Sequence, residues 1–245
     1  MYNENRNEGN KMNSNLAEEE VLVSEAIINS ENEIRIHKNI IYKIIKRTID
    51  IIGGLVGVIL LVPLTIGIAI AKLILKENDG PLFYEQLRIG KNGNRFRIYK
   101  YRSMIVGADE VLATYLAQNE EARKEYKKYK KLKDDPRITK VGKFLRKTSL
   151  DEFPQLINVL KGDMSLVGPR PYLPREKEDM GEFYTYIIQT KPGLTGYWQV
   201  NGRSDVDFDE RLNMDYYYTQ HRGIKLDTKL LIKTFTNVIK KEGAL

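Results

Sequence analysis

The chain has 245 residues, with 40 Lys and Arg against 33 Asp and Glu, a formal charge of +7, no cysteine and two histidines. That length holds one domain with a real core plus appendages. The lack of cysteine excludes disulfides, thiolate zinc sites and a cysteine nucleophile, and His37 and His221, both in polar surroundings, are too few for a His-rich metal site.

The basic surplus suits an anionic partner: a nucleic acid, a phosphorylated substrate or an anionic leaflet. Residues 1–38 are rich in Asn and Glu and carry no signal-peptide core, so they read as a disordered or weakly helical tail. The next segment, 39–76, contains a run from Ile51 to Ala71 without a charge, long enough to cross a hydrocarbon core. Pro63 lies near its middle and predicts a helix break, and the run also holds Gly53, Gly54, Gly57 and Gly67. Lys43, Lys46 and Arg47 precede it and Lys72 and Lys76 follow, so both flanks favour the cytoplasm. A re-entrant helix satisfies both flanks. An ordinary crossing with a tolerated proline is the alternative, and the residues weigh the two evenly.

Residues 77–245 read as a membrane-attached catalytic domain. "GPLFYEQLRIGKNGNRFRIYKYRSM" predicts two β-segments joined at "KNGN". "ADEVLATYLAQNEEARKEYKKYKKLKDD" predicts one charged helix ending before Pro136, its lysine cluster a solvated face. "PQLINVLKG" predicts a short helix closed by Gly162. "KPGLTGYWQVNGRS" reads as a Gly-punctuated loop or strand. "DTKLLIKTFTNVIKK" is a basic amphipathic helix with Leu230, Leu231, Phe235, Val238 and Ile239 near one face, for packing or for a membrane interface. The fold class expected is α+β: an N-terminal re-entrant membrane helix, a small antiparallel sheet element and several helices, including interfacial amphipathic ones.

The chemistry concentrates at "SLDEFPQ". Ser149 to Glu152 fits a capping box, but Pro154 then falls where an N–H is needed. A start near Asp151 tolerates Pro154 and sets Asp151 and Glu152 at a helix N-terminus, which favours their ionised forms. Ionised carboxylates attack phosphorus and ligate Mg²⁺. Arg137, Lys143, Arg146 and Lys147 lie just upstream, and Arg170 is stiffened between Pro169 and Pro171, its planar fork suited to a diphosphate.

From about Lys46 to Gly243 the chain resembles the bacterial sugar transferase family, the monotopic polyprenyl-phosphate phosphoglycosyl transferases. The resemblance rests on "KRTIDIIGG", "GPLFYEQLRIG", "FRIYKYRSM", "DPRITKVGKFLRKTSLDEFPQLINVLKGDMSLVGPRP" and "KPGLTGYWQVNGR". It implies transfer of a sugar-1-phosphate from a UDP-sugar to undecaprenyl phosphate at the inner leaflet of the bacterial cytoplasmic membrane, with release of UMP. Mg²⁺, or Mn²⁺ in its place, is the implied cofactor, held by Asp151 and Glu152. By the same resemblance Asp151 is the nucleophile, and Lys100, Arg146 and Arg170 bind substrate phosphate. Gln199 and Arg203 are weaker candidates for the nucleotide-sugar. The Ser-Pro pair that breaks the membrane helix in some members is Val62-Pro63 here, and the usual Phe of "KFRSM" is Tyr101. The rival readings are a membrane-anchored basic binding or scaffold protein and a glycosyltransferase releasing UDP. No nucleic-acid motif is present. The sugar and the oligomeric state are not encoded in any motif.

Overall fold

The computed structural model describes residues 40–77, 80–130, 132–202 and 206–240. The predicted tail therefore lies outside the described residues. Two compact units divide the chain, Met1–Lys46 and Arg47–Leu245. The elements below belong to the larger, except the first turns of helix α1, Ile40–Ile74.

Helix α1 is 35 residues long and apolar enough to cross a membrane by length and composition. The break expected at Pro63 is not seen: the helix continues through it. Pro63 has no N–H to give the Ile59 carbonyl, and the helical backbone runs on past that one missing bond. Thr65 donates its hydroxyl to the Leu61 carbonyl at 2.7 Å and shares a 2.6 Å hydrogen bond with the Tyr101 hydroxyl. The Thr65 hydroxyl therefore ties this part of α1 to Tyr101 on the hairpin, and its back-bond is of the kind that tends to bend a helix.

One face of α1 packs on the domain from Arg47 to Lys72, roughly 38 Å at 1.5 Å per residue. Asp50, Leu61, Ile68 and Lys72 are buried. The glycines noted in the sequence explain the close approach: a Cβ on Gly57 would sit 2.4 Å from Leu156 Cδ1, and one on Gly54 2.7 Å from Leu160 Cδ2. Polar groups fasten the same face. Arg47 donates to the carbonyls of Val159 and Leu160, both at 2.6 Å, and Asp50 accepts from Ser165 Oγ at 2.9 Å and Leu166 N at 2.8 Å. The opposite face, including Ile52, Leu55, Ile59, Val62, Ile66 and Leu73, is exposed.

The hairpin forms as expected. β1 (Phe83–Ile89) pairs antiparallel with β2 (Arg95–Tyr101), with Tyr84 opposite Lys100. Asn92 and Gly93 take the left-handed backbone that the "KNGN" turn requires, φ 57° and 79°. The single charged helix does not form. It is two, α2 (Ala108–Gln118) and α3 (Glu120–Tyr129), separated by Asn119 in extended backbone whose side chain accepts from Ala122 N. Asn at that position caps better than it propagates, which ends one helix and starts the next.

Next come α4 (Lys140–Lys147) and α5 (Gln155–Lys161), the latter closed by Gly162 at φ 87° as predicted. β3 (Ser165–Val167) and β4 (Gly193–Thr195) form a short parallel pair that the sequence reading did not foresee. α6 (Phe183–Ile187), α7 (Tyr197–Asn201), α8 (Phe208–His221) and α9 (Ile224–Lys240) complete the domain. In α9 Leu230 is buried and Thr234 bonds Thr195, while Phe235, expected on the packed face, is 68% exposed.

Candidate active site

The acid pair is placed by three elements. β2 carries Lys100 between buried Ile98 and Tyr101. α4 begins with a doubled cap: Thr139 accepts from Gly142 N at 3.0 Å, and Glu77 accepts from Lys140 N at 2.7 Å and Val141 N at 3.0 Å. Gly142 lies against the backbone of Ser103, where any Cβ would meet the carbonyl. That contact brings the last turn of α4 to β2, and Arg146 Nε donates to Ser103 Oγ at 3.0 Å.

Ser149 then reverses the chain at φ 57°. It makes no capping bond through its side chain, so the capping-box reading fails. Leu150–Glu152 form a 3-10 turn that runs through Phe153 and Pro154 into α5. The acid pair thus precedes α5 as its leading turn, with Pro154 tolerated at the cap. α5 is tied to β2 by buried Asn158, which donates to Arg97 O at 2.7 Å and accepts from Tyr99 N at 3.1 Å. The amide acts as a strand partner, and it sets Glu152 beside Lys100.

Lys100 Nζ meets Glu152 Oε1 at 2.6 Å. Asp151 is buried, and Glu152 is 37% exposed at the side chain. Burial raises the Asp151 carboxyl above its ordinary range, helped by the Glu152 charge and opposed by Lys100 and Arg146. This reverses the sequence expectation that a helix start would favour the ionised form: one 3-10 turn offers little dipole, and desolvation outweighs it. Glu152 moves the other way. Burial is the largest single influence and pushes it up, but Lys100, Arg170 and Arg88 together bring it below the usual value. Two adjacent carboxyls therefore differ in character, a common mark of a working site.

The "GPRP" loop comes next to this pair electrostatically. Arg170 acts on Glu152, and its guanidinium lies 5.8 Å from the Trp198 ring centre. Arg88, missed in the sequence, belongs here too. It is buried on β1, donates to Pro171 O at 2.9 Å and bonds Gln86. Burial, then the Arg170 charge, lowers it to about 10. The "LRIG" of the hairpin block was the signal that could have found it. Asp215 on α8 was also missed, and nothing in its sequence surroundings marks it.

Other expected residues fall differently. Arg137 is not available to a phosphate: it is buried in a bidentate pair with Asp135, at 2.8 and 2.6 Å. Lys143 and Lys147 are exposed on α4. Gln199 lies on α7 next to Trp198, and its Oε1 is buried without a partner among the described residues. Arg203 lies outside the described residues.

Residues 41–241 match the family described as bacterial sugar transferase. The chain is 46% identical over 202 residues to the undecaprenyl-phosphate galactose phosphotransferase of Salmonella typhimurium, covering 82% of this chain and 42% of that protein. To the exopolysaccharide production protein ExoY of Sinorhizobium fredii it is 38% identical over 199 residues, 81% of this chain and 87% of that one. To a UDP-N-acetylgalactosamine-undecaprenyl-phosphate N-acetylgalactosaminephosphotransferase of Aeromonas hydrophila it is 35% identical over 210 residues, 83% of this chain and 46% of that one. It spans less than half the length of the Salmonella and Aeromonas proteins. With the match running through the acid pair, the hairpin and the Pro-Arg-Pro loop, the chain belongs to the bacterial sugar transferase family.

Proposed function

We propose that the chain transfers a sugar-1-phosphate from a UDP-sugar to undecaprenyl phosphate at the inner leaflet, a first membrane step of exopolysaccharide, capsule or glycoconjugate synthesis. The observation that carries this is the buried Asp151 next to a Glu152 held by Lys100 at 2.6 Å. A buried carboxyl ringed by cations is a nucleophile for phosphorus, shielded from water.

An Asp151 oxygen attacks the β-phosphorus of the UDP-sugar. The bond from that phosphorus to the bridging oxygen breaks, and UMP leaves with the electron pair. A phosphosugar-aspartate remains. An oxygen of undecaprenyl phosphate then attacks the same phosphorus and displaces the Asp151 carboxylate, leaving the sugar on a lipid diphosphate. Lys100 positions Glu152 and offsets charge beside the reacting phosphorus. Arg146 and Arg170 stand to meet the phosphate oxygens, with Gln199 and Arg203 proposed on the nucleotide side.

Two neighbouring carboxylates suit Mg²⁺ or Mn²⁺, which usually take one or two protein carboxylates and share the substrate phosphates. Bound there, the ion would neutralise the diphosphate charge.

For the membrane we propose a monotopic arrangement in which α1 stays within one leaflet, with both of its basic flanks on the same side. A helix that crosses the bilayer meets lipid all round. Here Arg47, Asp50, Thr65 and Tyr101 fix one face of α1 to polar domain elements along its length. A straight crossing would draw those elements into hydrocarbon or break the bonds. The exposed apolar stripe is left for acyl chains.

The test is the nucleotide product. Purified protein with UDP-galactose should release UMP, with turnover requiring undecaprenyl phosphate; EDTA should abolish it and Mg²⁺ restore it. UDP as the product would replace this reading with transfer of the sugar alone, and full activity in EDTA would remove the metal.

A further inference from the structure

Arg170 stands between two prolines, so its N–H is the lone backbone donor of Pro169–Pro171. Three carbonyls of this loop are bonded to the surrounding elements. Gly193 N donates to Pro169 O at 2.8 Å, Arg88 to Pro171 O at 2.9 Å and Ile89 N to Tyr172 O at 2.9 Å. The Arg170 N–H goes to a side chain from a distant element: Asp215 Oδ2 on α8, at 3.0 Å. The same oxygen accepts from the Tyr172 hydroxyl at 2.8 Å.

Asp215 is fully buried, and its Oδ1 has no hydrogen-bond partner among the described residues. Structural loop clasps are rarely built with a half-satisfied buried carboxyl, because an amide would serve at lower desolvation cost. Its charge is the property an amide lacks. The cations set to feel that charge are Arg170 and Arg211, whose guanidiniums lie 5.8 and 5.1 Å from the centre of the Trp198 ring.

We propose that Asp215 is the positioning residue for Arg170: it holds the Pro-Arg-Pro backbone through Oδ2, and by its charge it holds the guanidinium in place for a substrate phosphate. The last clause rests on the function proposed above. The groups that face Asp215 are Arg170 and Tyr172 from the loop and Arg211 from its own helix, with Arg88 from β1 and Glu176 from the Pro174–Glu176 turn acting on that cluster.

Burial pushes Asp215 up to about 7, against the pull of the Arg170 N–H, the Tyr172 hydroxyl and the two guanidiniums. The sign follows. Below pH 7 the carboxyl is neutral and its hold on Arg170 weakens. Above it the charge is present, the hold is full, and folding bears the burial of that charge.

The chain has a single tryptophan, Trp198, in contact with Arg170. Its emission can therefore follow the arginine in the full-length protein in detergent micelles, without substrate. Between pH 6 and 9 the wild type should show a transition centred near 7, absent in Asp215→Asn and in Arg170→Ala. In assays with UDP-galactose and undecaprenyl phosphate, the KM of Asp215→Asn for UDP-galactose should be about tenfold above wild type at pH 8.5, a difference of about 1.4 kcal/mol, and converge with it at pH 6. Its thermal midpoint at pH 8.5 should not fall, since a buried charge has gone; a purely structural residue would lose stability and activity together. A transition that survives in Asp215→Asn belongs to another group and overturns the proposal. So does a flat wild-type curve, or a KM ratio that is the same at every pH. If the fluorescence transition behaves as expected and wild type releases no UMP from any of a panel of UDP-sugars, the Asp215–Arg170 link stands and the proposed reaction falls.

Discussion

Asp151 and Glu152 are neighbours in sequence with opposite electrostatics. Asp151 is driven up by burial; Glu152 is brought down by Lys100, Arg170 and Arg88. That division argues for separate roles. Asp151→Asn should lose several orders of magnitude in turnover, the pattern for a covalent catalyst whose parts act as a unit. Incubated with labelled UDP-galactose and no lipid, wild type should retain label and Asp151→Asn should not; label on the mutant would transfer the role to Glu152. Arg88 makes a second residue-scale case. Its substitution by Lys keeps a charge but cannot reach both Pro171 O and Gln86 with one fork. A buried carbonyl left unpaired costs about 1–3 kcal/mol, so Arg88→Lys should lower the thermal midpoint. An unchanged midpoint would show that the fork is not needed.

At the scale of elements, the site depends on how α5 meets β2. Asn158 substitutes for a strand partner at Arg97 and Tyr99, one residue either side of Ile98 and close to Lys100. Asn158→Ala removes both bonds and should destabilise the fold by about 1–3 kcal/mol. Turnover should fall further than stability predicts, because Lys100 loses its register with Glu152. Equal activity per folded molecule would show that the hairpin holds Lys100 unaided. The hairpin and α5 were legible beforehand, since the "KNGN" turn and the Gly162 stop are local signals. The split between α2 and α3 was not. It hinges on Asn119, whose capping bond to Ala122 N competes with an otherwise continuous charged pattern.

For the whole molecule, the decisive feature is α1 lying along the domain. A single cysteine introduced near Asn10 in this cysteine-free chain should be shielded in intact cells from a membrane-impermeant thiol reagent and react after lysis. Labelling of intact cells would mean that the helix crosses. Pro63→Ala should leave that result unchanged, because the helix is already continuous at Pro63 and is fastened by Arg47, Asp50 and Thr65. Conversion to a spanning form by Pro63→Ala alone would return the controlling part to the proline.

The sequence by itself determined what repeats locally or is written contiguously: the apolar run, the hairpin, the Gly162 cap, the basic setting of Asp151 and Glu152, and the family those blocks resemble. Each depends on residues within a few positions of one another. The tertiary structure decided which charges meet. Arg137 and Arg146 are nine positions apart and equally basic, yet Arg137 is taken by Asp135 while Arg146 reaches Ser103 beside the acid pair. Arg88 and Asp215 are far from Pro169–Pro171 in sequence and are joined to it only by folding. Burial also pushed the Asp151 carboxyl up, opposite to the direction its place at a turn suggested, because desolvation depends on what covers a group, and that is set by the packed neighbours and not by the flanking residues.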